Sequence, residues 1–178
     1  MPVLKKVVLS VFIGFMVFVL ALGYGFVNLK SNSVYYAQRT PHKVEVEPVL
    51  MEVTRNLDWI YTPDIKGIKY DYDGGKSIYN KNYQDGTKLA IFACSSDPSY
   101  LYWREYGSKK FVVYAFDDRF TLLRVTDREK GKIPLKHIDR AELIREIYKA
   151  VQPVIDAQPE PLINLQWIYD WVNKDRFN

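Results

Sequence analysis

Cysteine is nearly absent from this chain: Cys94 stands alone among 178 residues. A single thiol forms no intrachain disulfide, which excludes a disulfide-stapled secreted scaffold. Histidine is almost as scarce, with only His42 and His137. A conventional zinc site needs several Cys or His ligands, and the chain does not supply them. Asp71-Tyr72-Asp73-Gly74 begins like a calcium loop. Gly75 and Lys76, however, stand where that loop needs an oxygen ligand and a glycine. Gly74-Gly75-Lys76-Ser77 ends like a phosphate loop but lacks the earlier glycine. No metal or cofactor is therefore expected.

Catalytic patterns are missing too. Ser95, Ser96 and Ser99 have no Gly-x-Ser-x-Gly elbow around them. His137 lies in a basic loop and reads as a surface residue, and Cys94 closes an apolar strand pattern and reads as a buried thiol. Asp117-Asp118 sits at an expected hairpin tip, where exposed acids lack the desolvation that tunes a general acid. A membrane-bound hydrolase is thus a third-ranked class. None of the eight asparagines lies in an Asn-x-Ser/Thr acceptor, which fits a bacterial protein.

Charge is present but misplaced for nucleic-acid binding. The net +4 and pI near 9.0 arise from residues 1–43, whose five bases (Lys5, Lys6, Lys30, Arg39, Lys43) face no acid. Residues 44–178 carry twenty bases and twenty-one acids. The excess belongs to the flanks of one apolar stretch, where it meets anionic headgroups, and no nucleic-acid partner is expected.

That stretch is Val7–Leu29, which contains no charged side chain. As a helix it would measure about 35 Å, enough to cross a hydrocarbon core of about 30 Å. It is longer than the apolar core of a secretory signal and lacks a convincing Ala-x-Ala site, so an uncleaved anchor is expected. Basic residues before and after it nearly tie, but a short basic tail before a long span is the pattern of a signal-anchor. That pattern leaves residues 1–6 in the cytoplasm and the domain outside, in a periplasm if the host has two membranes. Ser10, Gly14, Ala21 and Gly25 recur at spacings that share one helix face and would admit a second helix, giving a homodimer through the span. The ordinary abundance of glycine in membrane helices is the plainer explanation.

Residues 30–43 read as a polar juxtamembrane connector, with Tyr35-Tyr36 placed for headgroups. Residues 44–178 read as one α+β domain. Glu47–Asp58 shows helical periodicity with Pro48 in the first turn. Period-two alternation then marks five or six strands of a mostly antiparallel sheet within residues 65–125, among them Tyr100–Tyr106, Lys110–Phe116 and Phe120–Val125. Asp139 and Glu142 have capping-box spacing ahead of a helix ended by Pro153. A last helix opens at Pro159–Pro161, with Leu162, Leu165, Ile168, Tyr169 and Val172 as its apolar stripe.

Three features point to binding. Residues 58–120 hold fifteen aromatic side chains, including Trp59, Tyr70, Tyr72, Tyr100, Tyr102 and Trp103. Alternation sends half to each face, so one set stays exposed unless a second layer covers it. Residues 119–140 carry seven bases against three acids, among them Arg124, Arg128, Lys130, Lys132 and Lys136. Such a patch suits an acidic partner or anionic lipid. Trp167 and Trp171 are neighbours on the last helix, well off its stripe. Burial by a wrapping layer is the expectation for them, and a partner-facing patch is the alternative.

These features favour a membrane-anchored, non-enzymatic binding protein of the bacterial envelope. Its most concrete form is an immunity protein that neutralises a toxin. An accessory subunit of an envelope secretion or conjugation machine is the second class.

Overall fold

The first helix, α1, runs unbroken from Pro2 to Ser31. In the computed structural model, which describes residues 2–71, 78–107 and 110–178, its apolar part is exposed from Val7 to Val27 except for half-buried Gly25, with mean hydropathy 2.6. It is the one helix among the described residues long and apolar enough to cross a membrane, and it is compatible with single-pass anchoring. A Cβ added to Gly14 or Gly25 meets nothing within 4 Å. No other part of this chain fills the space beside these two glycines.

The expected connector is corrected. Residues 30–43 are built into the domain: α1 continues to Ser31, a short helix α2 spans Ser33–Ala37, and Val34, Tyr36, Ala37 and Thr40 are buried. The Tyr36 hydroxyl donates to Asn28 Oδ1 at 2.6 Å and accepts from the Leu165 N–H at 3.1 Å, and its ring packs on Tyr169. A buried hydroxyl without such partners would cost about 1–3 kcal/mol. With them, Tyr36 joins the end of α1 to the body of the domain, and no loose tether separates the two.

Helix α3 (Pro48–Arg55) carries Pro48 in its first turn. Its residues from Leu50 to Thr54 are all buried, so it is covered on every side. This placement buries Glu52, whose carboxylate accepts from Arg176 and Asn56. A buried carboxylate is tolerated only when paired and hydrogen-bonded in this way.

The sheet has seven strands in sequence order, each antiparallel to the next. They are β1 (Ile68–Asp71), β2 (Ile78–Asn82), β3 (Lys88–Ala93), β4 (Tyr100–Tyr106), β5 (Lys110–Phe116), β6 (Leu122–Asp127) and β7 (Gly131–Ile133). The expected five or six strands are therefore seven. Strand β7 escapes the alternation pattern because it is three residues long and its flanks are charged, features common at a sheet edge. Its turn uses Gly131 at φ 74° while Asp127 Oδ1 accepts from the backbone N–H groups of Glu129 and Lys130. The β5–β6 turn places Phe120, expected in a strand, at φ 64°. Its ring is buried against Phe116 and Tyr100, which offsets a backbone cost of about 1–3 kcal/mol.

Helix α4 (Arg140–Asp156) starts as expected, with Asp139 accepting from the Glu142 N–H at 3.0 Å. It does not stop at Pro153 but runs three residues past it. Proline offers no N–H to the preceding turn. In that turn the Ala150 carbonyl accepts from the Tyr79 hydroxyl at 2.6 Å and Lys81 Nζ at 3.3 Å. The carbonyl that Pro153 leaves without its helical donor is that of Lys149, four residues back, and the sheet's two donors fall on its neighbour Ala150, holding the sheet to the turn that the proline interrupts.

Helix α5 covers only Gln166–Phe177, beginning later than expected. Its buried side chains are Tyr169 and Phe177, whereas Leu162 lies before the helix and Val172 is exposed. Helices α2 to α5 share one hydrophobic core with the inner face of the sheet, where Tyr79, Ile91, Tyr100, Tyr102 and Phe116 meet Leu143, Ile147, Val151 and Val154.

Candidate functional site

Register decides which aromatic residues are available to a partner. Tyr79, Ile91, Tyr102, Tyr114 and Val125 lie directly opposite one another across five strands, so they share a face. That face is the covered one. The Tyr102 hydroxyl donates to Glu146 on α4 at 2.9 Å, and the Tyr79 hydroxyl reaches Ala150. Burial drives the Tyr102 and Tyr79 hydroxyls far above the ordinary tyrosine value, so both act as neutral donors. Tyr100 and Tyr102, expected among partner-facing residues, are both 0% exposed and are corrected to core. Tyr70 is half-buried, its ring against Tyr79 and its hydroxyl donating to the Pro63 carbonyl. Tyr72 lies outside the described residues.

The opposite face has no layer upon it among the described residues. Trp103 follows Tyr102 on β4, so its ring points away from the helices, and it is 37% exposed. Phe92 of β3 stacks against it at 6.4 Å, and Phe111 of β5 meets it edge-on at 5.3 Å. Leu101 and Val113 pair beside these rings and are half-buried. Three rings in contact across three paired strands form a stiff apolar strip on an otherwise solvated surface.

Basic residues edge that strip. Arg124 pairs with Ala115 in the row of Leu101, and Lys132 pairs with Thr126 in the row of Trp103, so both lie on the outer face. Arg128 lays its guanidinium 5.4 Å from the Phe111 ring centroid. Lys88–Glu105 and Lys110–Glu129 form exposed ion pairs at 4.0 and 3.7 Å along the neighbouring rim. Aromatic and basic features thus meet on one surface at Trp103, Arg124, Arg128 and Lys132. Lys130 is exposed at the β6–β7 turn, and Lys136 is exposed on the 3-10 turn Leu135–His137.

The remaining tryptophans sit elsewhere. Trp59 is exposed and meets the Phe26 ring of α1 edge-on at 5.6 Å. Trp167 and Trp171 are 72% and 74% exposed on α5. The expectation that a wrapping layer buries them is corrected: α5 uses its Tyr169–Phe177 side for the core, and the tryptophans fall opposite.

On the inner side, a groove of about 550 Å³ separates β2–β4 from α4 and is lined by Lys81, Arg104, Arg145, Glu146 and Lys149 among others. Arg104 and Tyr102 both donate to Glu146, and Lys81 donates to Ala150. Burial lowers the Lys81 pKa, and the nearby Lys149 charge lowers it further. These groups are largely occupied with one another, as a clamp that fixes α4 to the sheet. Among the described residues no three His, Cys, Asp or Glu side chains are placed to hold a metal ion. Cys94 is half-buried just beyond β3, and His137 is exposed. Asp117 accepts from the backbone N–H groups of Arg119 and Thr121, the work of a turn former.

Phe92 and Phe111 belong to the strip but escape a reading of single strands. They emerge only when β3, β4 and β5 are paired in register, which aligns them beside Trp103. No protein-family model matches the chain, and neither a curated protein nor a solved structure matches it.

Proposed function

We propose that this chain is a membrane-tethered, non-enzymatic binding protein of the bacterial envelope, held by α1 with its domain on the periplasmic side. Its partner is a protein, met by the outer face of the sheet. One observation carries the reading: Phe92, Trp103 and Phe111 form a contiguous aromatic strip, edged by Arg124, Arg128 and Lys132, on the face that no helix covers among the described residues. Aromatic and arginine side chains dominate the energetics of protein interfaces, and a paired sheet holds them at little further entropy cost. The basic edge favours an acidic rim on the partner.

The most concrete form of this activity is immunity: interception of a toxin that arrives in the periplasm. Such a protein needs an anchor, a rigid body and a complementary surface. The burial of Ser33, Val34, Tyr36 and Ala37 fits this need, because it leaves the body firmly attached to its anchor. Confinement at the membrane raises the effective concentration of the binder where a toxin would arrive.

The test is survival in competition. Cells lacking the gene should die beside a toxin-delivering strain and be rescued by the wild-type gene, but not by a Trp103→Ala/Phe111→Ala variant expressed at equal level. Indifference of the deletion strain to the toxins of every neighbouring strain would overturn the immunity reading.

A further inference from the structure

The polypeptide around the end of α1 exposes a second apolar surface, distinct from the sheet. Asn28, in the last turn of the apolar stretch, donates from Nδ2 to the Ile163 carbonyl at 3.1 Å. The Tyr36 hydroxyl reaches the same carbonyl at 3.3 Å. Ile163 is therefore level with Asn28. From Val7 to Val27 the helix rises about 30 Å, the thickness of a hydrocarbon core. If those residues occupy the core, its edge falls at Asn28 and so at Ile163.

Apolar side chains at and after Ile163 are bare. Leu162 is 98% exposed, and Ile163, Trp167, Trp171 and Val172 are exposed with it. Phe26, Leu29 and Val172 line one small cavity, which ties the flank of α5 to the end of α1. Trp59 meets Phe26, two residues before Asn28. Three of the four tryptophans of the chain thus lie on elements that contact or adjoin the end of α1. Tryptophan favours the membrane interface, where its ring meets the acyl boundary and its N–H stays hydrated. Lys174 follows Trp171 by one turn and is exposed, well placed for a headgroup phosphate.

We propose that Leu162, Ile163, Trp167 and Trp171 form a second membrane contact, seated in the interface of the leaflet that α1 leaves. The occupant is the bilayer itself, because this surface is continuous with the lipid-exposed flank of α1. The inference rests on α1 spanning the membrane. It adds that the domain lies against the bilayer in one orientation, leaving the sheet's outer face for a partner.

Quenching of tryptophan fluorescence by brominated lipid tests it on the full chain, reconstituted in phosphatidylethanolamine–phosphatidylglycerol vesicles containing phosphatidylcholine brominated high on its acyl chains. A Trp59→Phe/Trp103→Phe variant, which keeps Trp167 and Trp171, should lose at least about half its emission relative to unbrominated vesicles. A Trp59→Phe/Trp167→Phe/Trp171→Phe variant, which keeps Trp103, should lose almost none. As a second readout, Leu162→Cys or Glu129→Cys in a Cys94→Ser background carries a polarity-sensitive dye, with blue-shifted emission expected at 162 only. Equal quenching of the two tryptophan sets, or equal dye spectra, in protein that floats with the vesicles would overturn the docking and leave the span standing. Protein that fails to float would overturn both.

Discussion

The two faces of the sheet are built from alternate residues of the same strands, yet they do different work. The inner face carries buried tyrosines, two of whose hydroxyls find partners on the helices, Tyr79 at Ala150 and Tyr102 at Glu146, while the Tyr100 hydroxyl is buried without a hydrogen bond. The outer face carries rings without hydroxyls, Phe92, Trp103 and Phe111, which touch one another and water. Burying a hydroxyl on a covered aromatic face favours a fixed partner for it, which limits what can stand at that position. An uncovered face has no such obligation and leaves its apolar area exposed, as the proposed binding role requires. The contrast teaches that aromatic density alone does not mark a binding surface; the missing layer does.

The largest effect expected from this contrast lies on the inner face. Phe116→Ala removes a fully buried ring beside Phe120 and should destabilise the full chain by about 3–5 kcal/mol in denaturant titration. A loss below about 1 kcal/mol would show that the helix layer is not a close-packed core. On the outer face the order of effects should invert. Trp103→Ala/Phe111→Ala should lower stability by only about 1 kcal/mol while weakening the partner at least about tenfold. Global unfolding by this variant would instead make the strip structural.

Smaller changes sharpen the comparison. Tyr79→Phe keeps the ring and removes one donor to Ala150, leaving Lys81 as the donor from the sheet. A loss of about 1 kcal/mol is expected, read as a lower midpoint with an unchanged slope. The smallest effect is on pH dependence. Backbone N–H groups of Thr87 at Asp85, and of Lys130 and Glu129 at Asp127, hold these carboxylates below their ordinary value. Their folded pKa values lie below the unfolded ones, so their contribution is full at neutral pH and fades as pH falls below about 3.8. Asp85→Asn/Asp127→Asn should flatten that acid limb slightly in thermal melts taken between neutral pH and pH about 2.5.

Much of this architecture was legible because period two is a strong signal. Strands β4 and β5 coincide with the expected Tyr100–Tyr106 and Lys110–Phe116, and the apolar helix is plain from composition. What alternation leaves open is which of two aromatic faces is covered, since both look alike until the helices are placed. Hence Tyr100 and Tyr102 stood among the candidates and Phe92 and Phe111 did not. Helix α2 was hidden because five residues hold barely more than one turn, too few for a periodicity. The stripe from Leu162 to Val172 misled for a different reason. Helical spacing continued backwards through a segment that is not helical, so Leu162, which faces the membrane in the proposal above, was read as core.

Differential capture tests the central claim most directly. Full-length wild-type protein and its Trp103→Ala/Phe111→Ala variant, both folded in mild detergent, are used to capture partners from an envelope extract containing the competing strain's toxin. The account predicts that the wild type retains a toxin protein and that the variant loses it at least about tenfold. Equal retention of that protein by both chains would contradict it.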